Sequence, residues 1–408
     1  MGRRSRRLVA AALPLCALAL GLSSAHGAET PGVSAAEIVL GGTVPLTGPE
    51  SAYSVVAQGA AAYFEYVNAR GGVFGRKIRY VYLDDAYDPA QTVQQTRRLV
   101  EEEKVFAIFN TVGTEHALAV RPYLNQLGVP ELFVGSGAAS FAREAKRYPW
   151  TIGYLPSFVA EGRVYGQHIA RTRPKARIAV LYEDSDFGRE LLAGLQAGLR
   201  GKGKIVARQP YAVTDPDVGS QIAALRASKA DTLMVFALPK QTIQSFISAD
   251  KLGWRPRVFV AAVSIDPFVM SVARLNTQGR TTEGAMSIAF LKDASNLARW
   301  GRDPGVKLYY EIMARYNAGG DPKAVANFYG MAVAFTMVDT LRRAGPAPTR
   351  DSLLAAATML DETDNPFLLP GIVVRTGPAD RYPLEQVQLY RYSRGVWRAF
   401  GPIVRASG

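Results

Sequence analysis

The chain has 408 residues, 48% of them hydrophobic and 20% charged, with a formal net charge of +13. That length exceeds one ordinary domain and suits two with sizeable cores, and the balance excludes a disordered or fibrous chain. Lysines and arginines after residue 28 are interspersed with acids and form no basic run, so the charge does not single out a nucleic-acid partner.

Arg3, Arg4, Arg6 and Arg7 precede an apolar run from Leu8 to Leu22, and Ala25-His26-Gly27 follows with small residues at cleavage-site spacing. The pattern reads as a secretory signal peptide over residues 1–28, and its fifteen-residue run is short for a membrane span. Cys16 follows Leu15, where a lipoprotein-processing site wants a small residue. Removing the leader removes the only cysteine and lowers the net charge to 13 − 4 = +9. The mature chain is then expected to hold no disulfide and no cysteine metal site.

From Glu37 a strand enters a glycine-punctuated turn ending at Pro49. A helix running into Asn68 follows, then a strand Ile78–Leu83 that ends in Asp84-Asp85, then a helix opening at Asp88-Pro89. Further βα units are read at Ala176–Tyr182, Ile205–Tyr211, Asp231–Ala237 and Val258–Val263, with helices Phe187–Gly201, Val218–Ser228 and Lys240–Lys251 between them. Such repetition predicts an α/β fold with two parallel, doubly wound sheets, one from the units before residue 149 and one from those after 176. The rhythm then breaks: Glu283–Phe290 is extended, helices are expected near 295–317 and 324–344, and two strands flank a Ser393-Arg394-Gly395 turn.

These motifs, in this order, resemble the leucine/isoleucine/valine-binding family of ABC-importer solute receptors. The resemblance rests on Val44-Pro45-Leu46-Thr47-Gly48-Pro49, on Asn68, Gly71, Gly72 and Gly75, on Asp84-Asp85 and Asp88-Pro89, on the Val180–Gly188 strand and turn, and on Tyr329-Gly330. It implies two Rossmann-like lobes joined by a hinge of three crossings, closing on a ligand like a flytrap. Lobe 1 would take residues 31–149 plus 281–371 and lobe 2 residues 152–278 plus 373–402. It also implies a periplasmic, non-catalytic monomer without a cofactor, delivering its ligand to an ABC permease of the inner membrane.

Ligands of open parallel sheets sit beyond the carboxyl ends of the strands. In lobe 1 those ends carry Thr114 in one loop and Gly135, Ser136 and Gly137 in another, hydroxyls and glycines at a helix start where free amides favour a carboxylate. By resemblance, this loop pair holds the ligand carboxylate and Tyr53 lines the cleft. Lobe 2 would supply Phe187 and Leu238, with Tyr154 and Phe158 as further candidates. Family members that bind amino acids place an acid where this chain has Ala262; Asp266, Asp184 or Asp186 are the available substitutes. An ammonium trapped without a partner would cost several kcal/mol, so the expected ligand is a small carboxylate without an α-amino group, aromatic in preference to leucine.

Two competing classes are weighed on the same residues. An exported hydrolase would need a base beside Ser136, and His116 is the one candidate; no His-Glu-x-x-His pair or Gly-x-Ser-x-Gly elbow is present. A sensory module of the same fold is the other, usually tethered to a membrane.

Overall fold

The structure, a computed structural model, describes residues 1–2, 30–324 and 326–406. The expected leader and Cys16 therefore lie outside the described residues, apart from Met1 and Gly2. Among the described residues no helix is long and apolar enough to cross a membrane.

The first sheet contains β1 (Glu37–Val44), β2 (Lys77–Asp84), β3 (Ala107–Phe109), β4 (Glu131–Val134) and β5 (Thr151–Gly153), all parallel in the order β2-β1-β3-β4-β5. The second begins with β6 (Arg177–Glu183), β7 (Lys204–Tyr211), β8 (Thr232–Phe236), β9 (Arg257–Val260) and β10 (Met286–Ala289). After a short pair, β11 (Asp361–Glu362) with β12 (Val374–Arg375), the chain returns as β13 (Gln386–Ser393) and β14 (Val396–Arg405). The second sheet runs β14-β13-β10-β9-β8-β6-β7, parallel up to β10 and antiparallel beyond it. Helices cover both faces, which is why β4 and β8 are buried along their whole length and apolar after their first residues, Glu131 and Thr232.

Sequence punctuation maps onto this architecture with physical reasons. Asn68 acts as a surrogate strand end, its amide donating to the Ile78 carbonyl at 2.9 Å and accepting from the Ile78 N–H at 2.7 Å. Asp88 caps the helix Pro89–Glu101 through the Ala90 N–H at 2.8 Å. The turn Arg394-Gly395, with φ of 53° and 84°, closes the β13–β14 hairpin.

Three expectations change. The helix read across 295–317 is two, Leu297–Trp300 and Pro304–Tyr316, because Pro304 cannot continue a helix and Asp303 starts a new one. Asp303 accepts from the Gly305 and Val306 N–H groups and from the Lys292 ammonium at 2.9 Å. Asp303→Ala is expected to lower stability by about 1–2 kcal/mol, the scale of a lost cap, measurable by urea denaturation. The strand read to Val263 ends at Val260 and turns into a 3₁₀ segment, Ala262–Ser264. Finally, β5 is bonded within the first sheet and β10 within the second, so the lobe bounds drawn at 149 and 281 each fall short of the actual crossing.

The chain passes between lobes after β5, after β10 and between β12 and β13. The helix Ala326–Arg343 packs on Ser54–Asn68 of the first lobe. Gly59 and Gly330 make that approach possible, since a Cβ at either would overlap a carbonyl oxygen of the facing helix or its lead-in.

Candidate functional site

A cleft of about 1010 Å³ lies between the lobes, with mostly apolar walls drawn from both. Its first-lobe wall is set by backbone that leaves the ordinary conformations at the strand ends. Asn110, just past β3, has φ 54°, and Phe133 inside β4 has φ 57°, beside a register shift against β5. Both are left-handed non-glycine residues, a costly state held here because the Asn110 amide donates to the Phe133 carbonyl and to the Tyr329 hydroxyl at 2.9 Å. The bends aim the following loops into the cleft.

Gly113, at φ 112°, precedes the helix Thr114–Gln126. Thr114 therefore stands at the first turn, where unpaired N–H groups and the helix dipole favour an anion. It lines the cleft together with Gly135. Ser136 does not reach the cleft wall; it lies behind, with its hydroxyl 2.7 Å from the Thr114 hydroxyl and accepting from the Ala138 N–H at 3.1 Å. Gly137 is also off the wall, pressed against the Pro156 carbonyl where the chain crosses between lobes. Tyr154 is fully buried in the core, its hydroxyl 3.0 Å from that of Thr336, and does not line the cleft.

Tyr53, Phe158, Phe187, Leu238, Ala262 and Asp266 all line the cleft. Phe158 and Phe187 meet edge to face at 4.9 Å between centroids, each at the start of a second-lobe helix. The Tyr53 hydroxyl crosses the gap and donates to the Val263 carbonyl at 3.1 Å. Three further bridges join the lobes: Glu115 accepts from the Asp186 N–H at 3.1 Å, Glu190 from the Ala139 N–H at 2.8 Å, and Asp266 from the Ala326 N–H at 3.2 Å. The lobes are thus drawn together in this structure.

The acids differ from expectation. Asp184 pairs with Arg189 at 2.8 Å and Asp186 begins a helix; neither lines the cleft. Glu183 does, one residue earlier at the end of β6, held by the Tyr211 hydroxyl at 3.2 Å. Successive strand residues face opposite ways, so a shift of one residue moves an acid from surface to cleft. Glu161, also in the wall, accepts from the Ala262 N–H and from the Tyr165 hydroxyl, each at 2.7 Å. A carboxylate thus sits directly beneath the position where the acid was missing. Burial pushes Glu161 up to about 7 and Glu183 up to about 6.

Tyr87 was not anticipated. It lines the cleft at φ 58°, with its N–H held by the Asp85 carboxylate at 3.1 Å, and packs on His116 with centroids 4.2 Å apart and the rings tilted by 38°. The Asp84-Asp85 pair was the available signal, because Asp84 ties the Leu46–Thr47 turn and Asp85 ties the Tyr87 turn. Burial pushes the His116 imidazole down to about 4, which keeps it neutral near pH 7. The Ser136 hydroxyl has Thr114, not this imidazole, as its side-chain partner. Among the described residues no group of three or more His, Cys, Asp or Glu is arranged to hold a metal ion.

The Periplasmic binding protein family matches residues 37–395. The Leu/Ile/Val-binding protein homolog 7 of Brucella abortus (strain 2308) is 24% identical over 352 residues, covering 83% of this chain and 85% of that protein. A branched chain amino acid ABC transporter from Thermus thermophilus with bound valine superposes with TM-score 0.77 at 19% identity, covering 91% of this chain and 96% of that one. A fatty acid ABC transporter substrate-binding protein from Thermomonospora curvata gives 0.76 at 20% identity, covering 92% and 94%. The two-lobed parallel α/β architecture, the interlobe cleft and this match over most of its length place the chain in the periplasmic binding protein family, among proteins of the Leu/Ile/Val-binding type with the type I fold.

Proposed function

We propose that this chain is the capture component of an ABC importer, taking a carboxylate with a large apolar body from the periplasm and handing it to a membrane permease. One observation carries the reading: an anion-favouring helix start at Thr114 faces an aromatic wall of Phe158 and Phe187 across one cleft. The carboxylate would accept from the free amides and hydroxyl at Thr114, with Ser136 orienting that hydroxyl from behind. Tyr53, Tyr87 and Leu238 would enclose the apolar body. A cleft of about 1010 Å³ sits at the upper end of the range that takes drug-sized ligands and leaves valine or leucine loosely held. The two structural neighbours carry valine and fatty-acid descriptions on one fold, so cargo size varies within it.

An amino acid is the second reading, favoured by Glu161, whose carboxylate holds the Ala262 N–H, and by Glu183 as a further acid of the cleft wall. A thermal-shift panel of phenylpropionate, octanoate, phenylalanine and leucine separates the two, because a ligand selective for the folded state raises the midpoint. Larger shifts for the plain acids are expected; a shift only with the amino acids would overturn the preference. Thr114→Ala is expected to weaken binding of the best acid by about 1–3 kcal/mol, the scale for a hydrogen bond to a charge, as read by calorimetry. Unchanged affinity would move the anchor elsewhere. Purified protein should release each acid unaltered.

A further inference from the structure

Glu50 lies behind the cleft wall, flanked in sequence by the wall residues Pro49, Ala52 and Tyr53. Its side chain is fully buried, and neither carboxyl oxygen has a hydrogen-bond partner among the described residues. An ionised carboxylate without a donor is among the costliest groups a protein can bury, so the position needs a physical account. Its neighbours explain part of it. Glu183 and Lys240 act on Glu50 from the second lobe, and the hydroxyls of Tyr53, Tyr87 and Tyr211 lie within electrostatic reach. Tyr53 and Tyr87 themselves pack against the second lobe's core, so the burial of this corner is made by the lobes meeting.

We propose that Glu50 and Glu183 form a carboxyl pair across the cleft that holds a proton when the lobes close, making capture proton-coupled. The inference rests on the reading of the protein as a closing, two-lobed capture device. The proton comes from bulk water and ends on the Glu50 carboxyl; no other bond changes. In the closed form burial, aided by the Glu183 charge, raises Glu50 from an ordinary 4.5 to about 8. Parting the lobes returns the group to water and to its ordinary value. Between these two values the closed form keeps a proton that the open form has lost. Closure is therefore favoured as pH falls, by about tenfold in the closed-to-open ratio per pH unit. Lys240 works against this by favouring the charged form, and Glu183 works with it.

The test needs no cargo, so its failure is separable from failure of the carboxylate reading. In a Cys16→Ser background, spin labels at Glu102→Cys in the first lobe and Arg226→Cys in the second report the interlobe distance by pulsed electron resonance. Between pH 8 and pH 6 the ratio of short to long distances should rise about fiftyfold in the parent chain, since the closed form is already half-protonated at pH 8. Glu50→Gln should be shifted toward short distances at pH 8 and lose most of the pH response, leaving only the smaller share of Glu190, the interlobe acid that burial raises to about 7. Glu183→Gln should retain the response with its midpoint moved to lower pH. A flat parent profile, an unchanged response in Glu50→Gln, or an unmoved midpoint in Glu183→Gln each overturns the proposal.

Discussion

Gly194→Val is expected to destabilise the folded chain by about 3 kcal/mol or more, at the upper end of what overpacking costs. Gly194 lies on the helix Asp186–Leu199, which packs against Phe158–Thr172. A Cβ at Gly194 would overlap the Val159 carbonyl oxygen, and one at Gly198 the Arg163 carbonyl. The facing helix repeats the device, with Gly162 against Leu191 and Gly166 against Leu195. Paired glycines four residues apart on each helix bring the backbones together with no flexible side chain left to yield. These are also the helices whose first turns present Phe158, Glu161 and Phe187 to the cleft. Forcing them apart should displace the aromatic wall as well as lower stability. Urea denaturation gives the first effect and acid binding the second. Gly319→Ala, where an added Cβ meets nothing within 4 Å, serves as the control and should stay within about 0.5 kcal/mol. A Gly194→Val protein as stable as its parent would show that the helices can part without loss.

Much of this fold was legible because parallel strands and their punctuation leave local traces. β6, β8 and β9 were found as apolar runs, and Asp88-Pro89 and Gly253 mark helix ends by mechanisms confined to neighbouring residues. The cleft wall was legible where chemistry and loop position coincide, as at Thr114, Gly135 and Tyr53. Depth was not. Ser136 and Gly137 follow Gly135 directly, yet the chain dives behind the wall after one residue. Tyr154 satisfies its hydroxyl on Thr336, a residue 182 positions away that no local pattern could pair with it. Glu183 was passed over for its neighbours because the face of a strand-end residue depends on where pairing stops. Glu50 gave no signal at all, since the charged groups that act on it, Glu183 and Lys240, come from a lobe distant in sequence.

Stability of the folded chain should fall as pH rises from 5 to 7.5, and Glu131→Gln should remove a share of that fall worth about 3 kcal/mol. Glu131 opens β4, is fully buried, and accepts from the Thr151 hydroxyl of β5 at 3.2 Å. Burial pushes its carboxyl up to about 8, against a usual 4.5. The sign follows from the order of the two values. Below 4.5 both folded and unfolded chains carry the proton, and the site contributes in full. Above 4.5 the unfolded chain loses the proton while the folded chain keeps it, so each further pH unit costs about 1.4 kcal/mol until 8 is passed. Glu362, likewise raised by burial to about 8, adds a similar slope, so the parent curve alone assigns nothing. The difference between parent and Glu131→Gln, taken at pH 5 and again at pH 7.5, isolates one carboxyl. An equal difference at both pH values would mean the group is ionised in the fold. Glu131 sits within one sheet, bonded to a strand of the same lobe, whereas Glu50 is buried within electrostatic reach of Glu183 and Lys240 of the other lobe. Glu131→Gln should therefore change unfolding and leave the interlobe distance profile untouched, while Glu50→Gln changes that profile; two buried acids with the same shifted titration are told apart by which motion each one opposes.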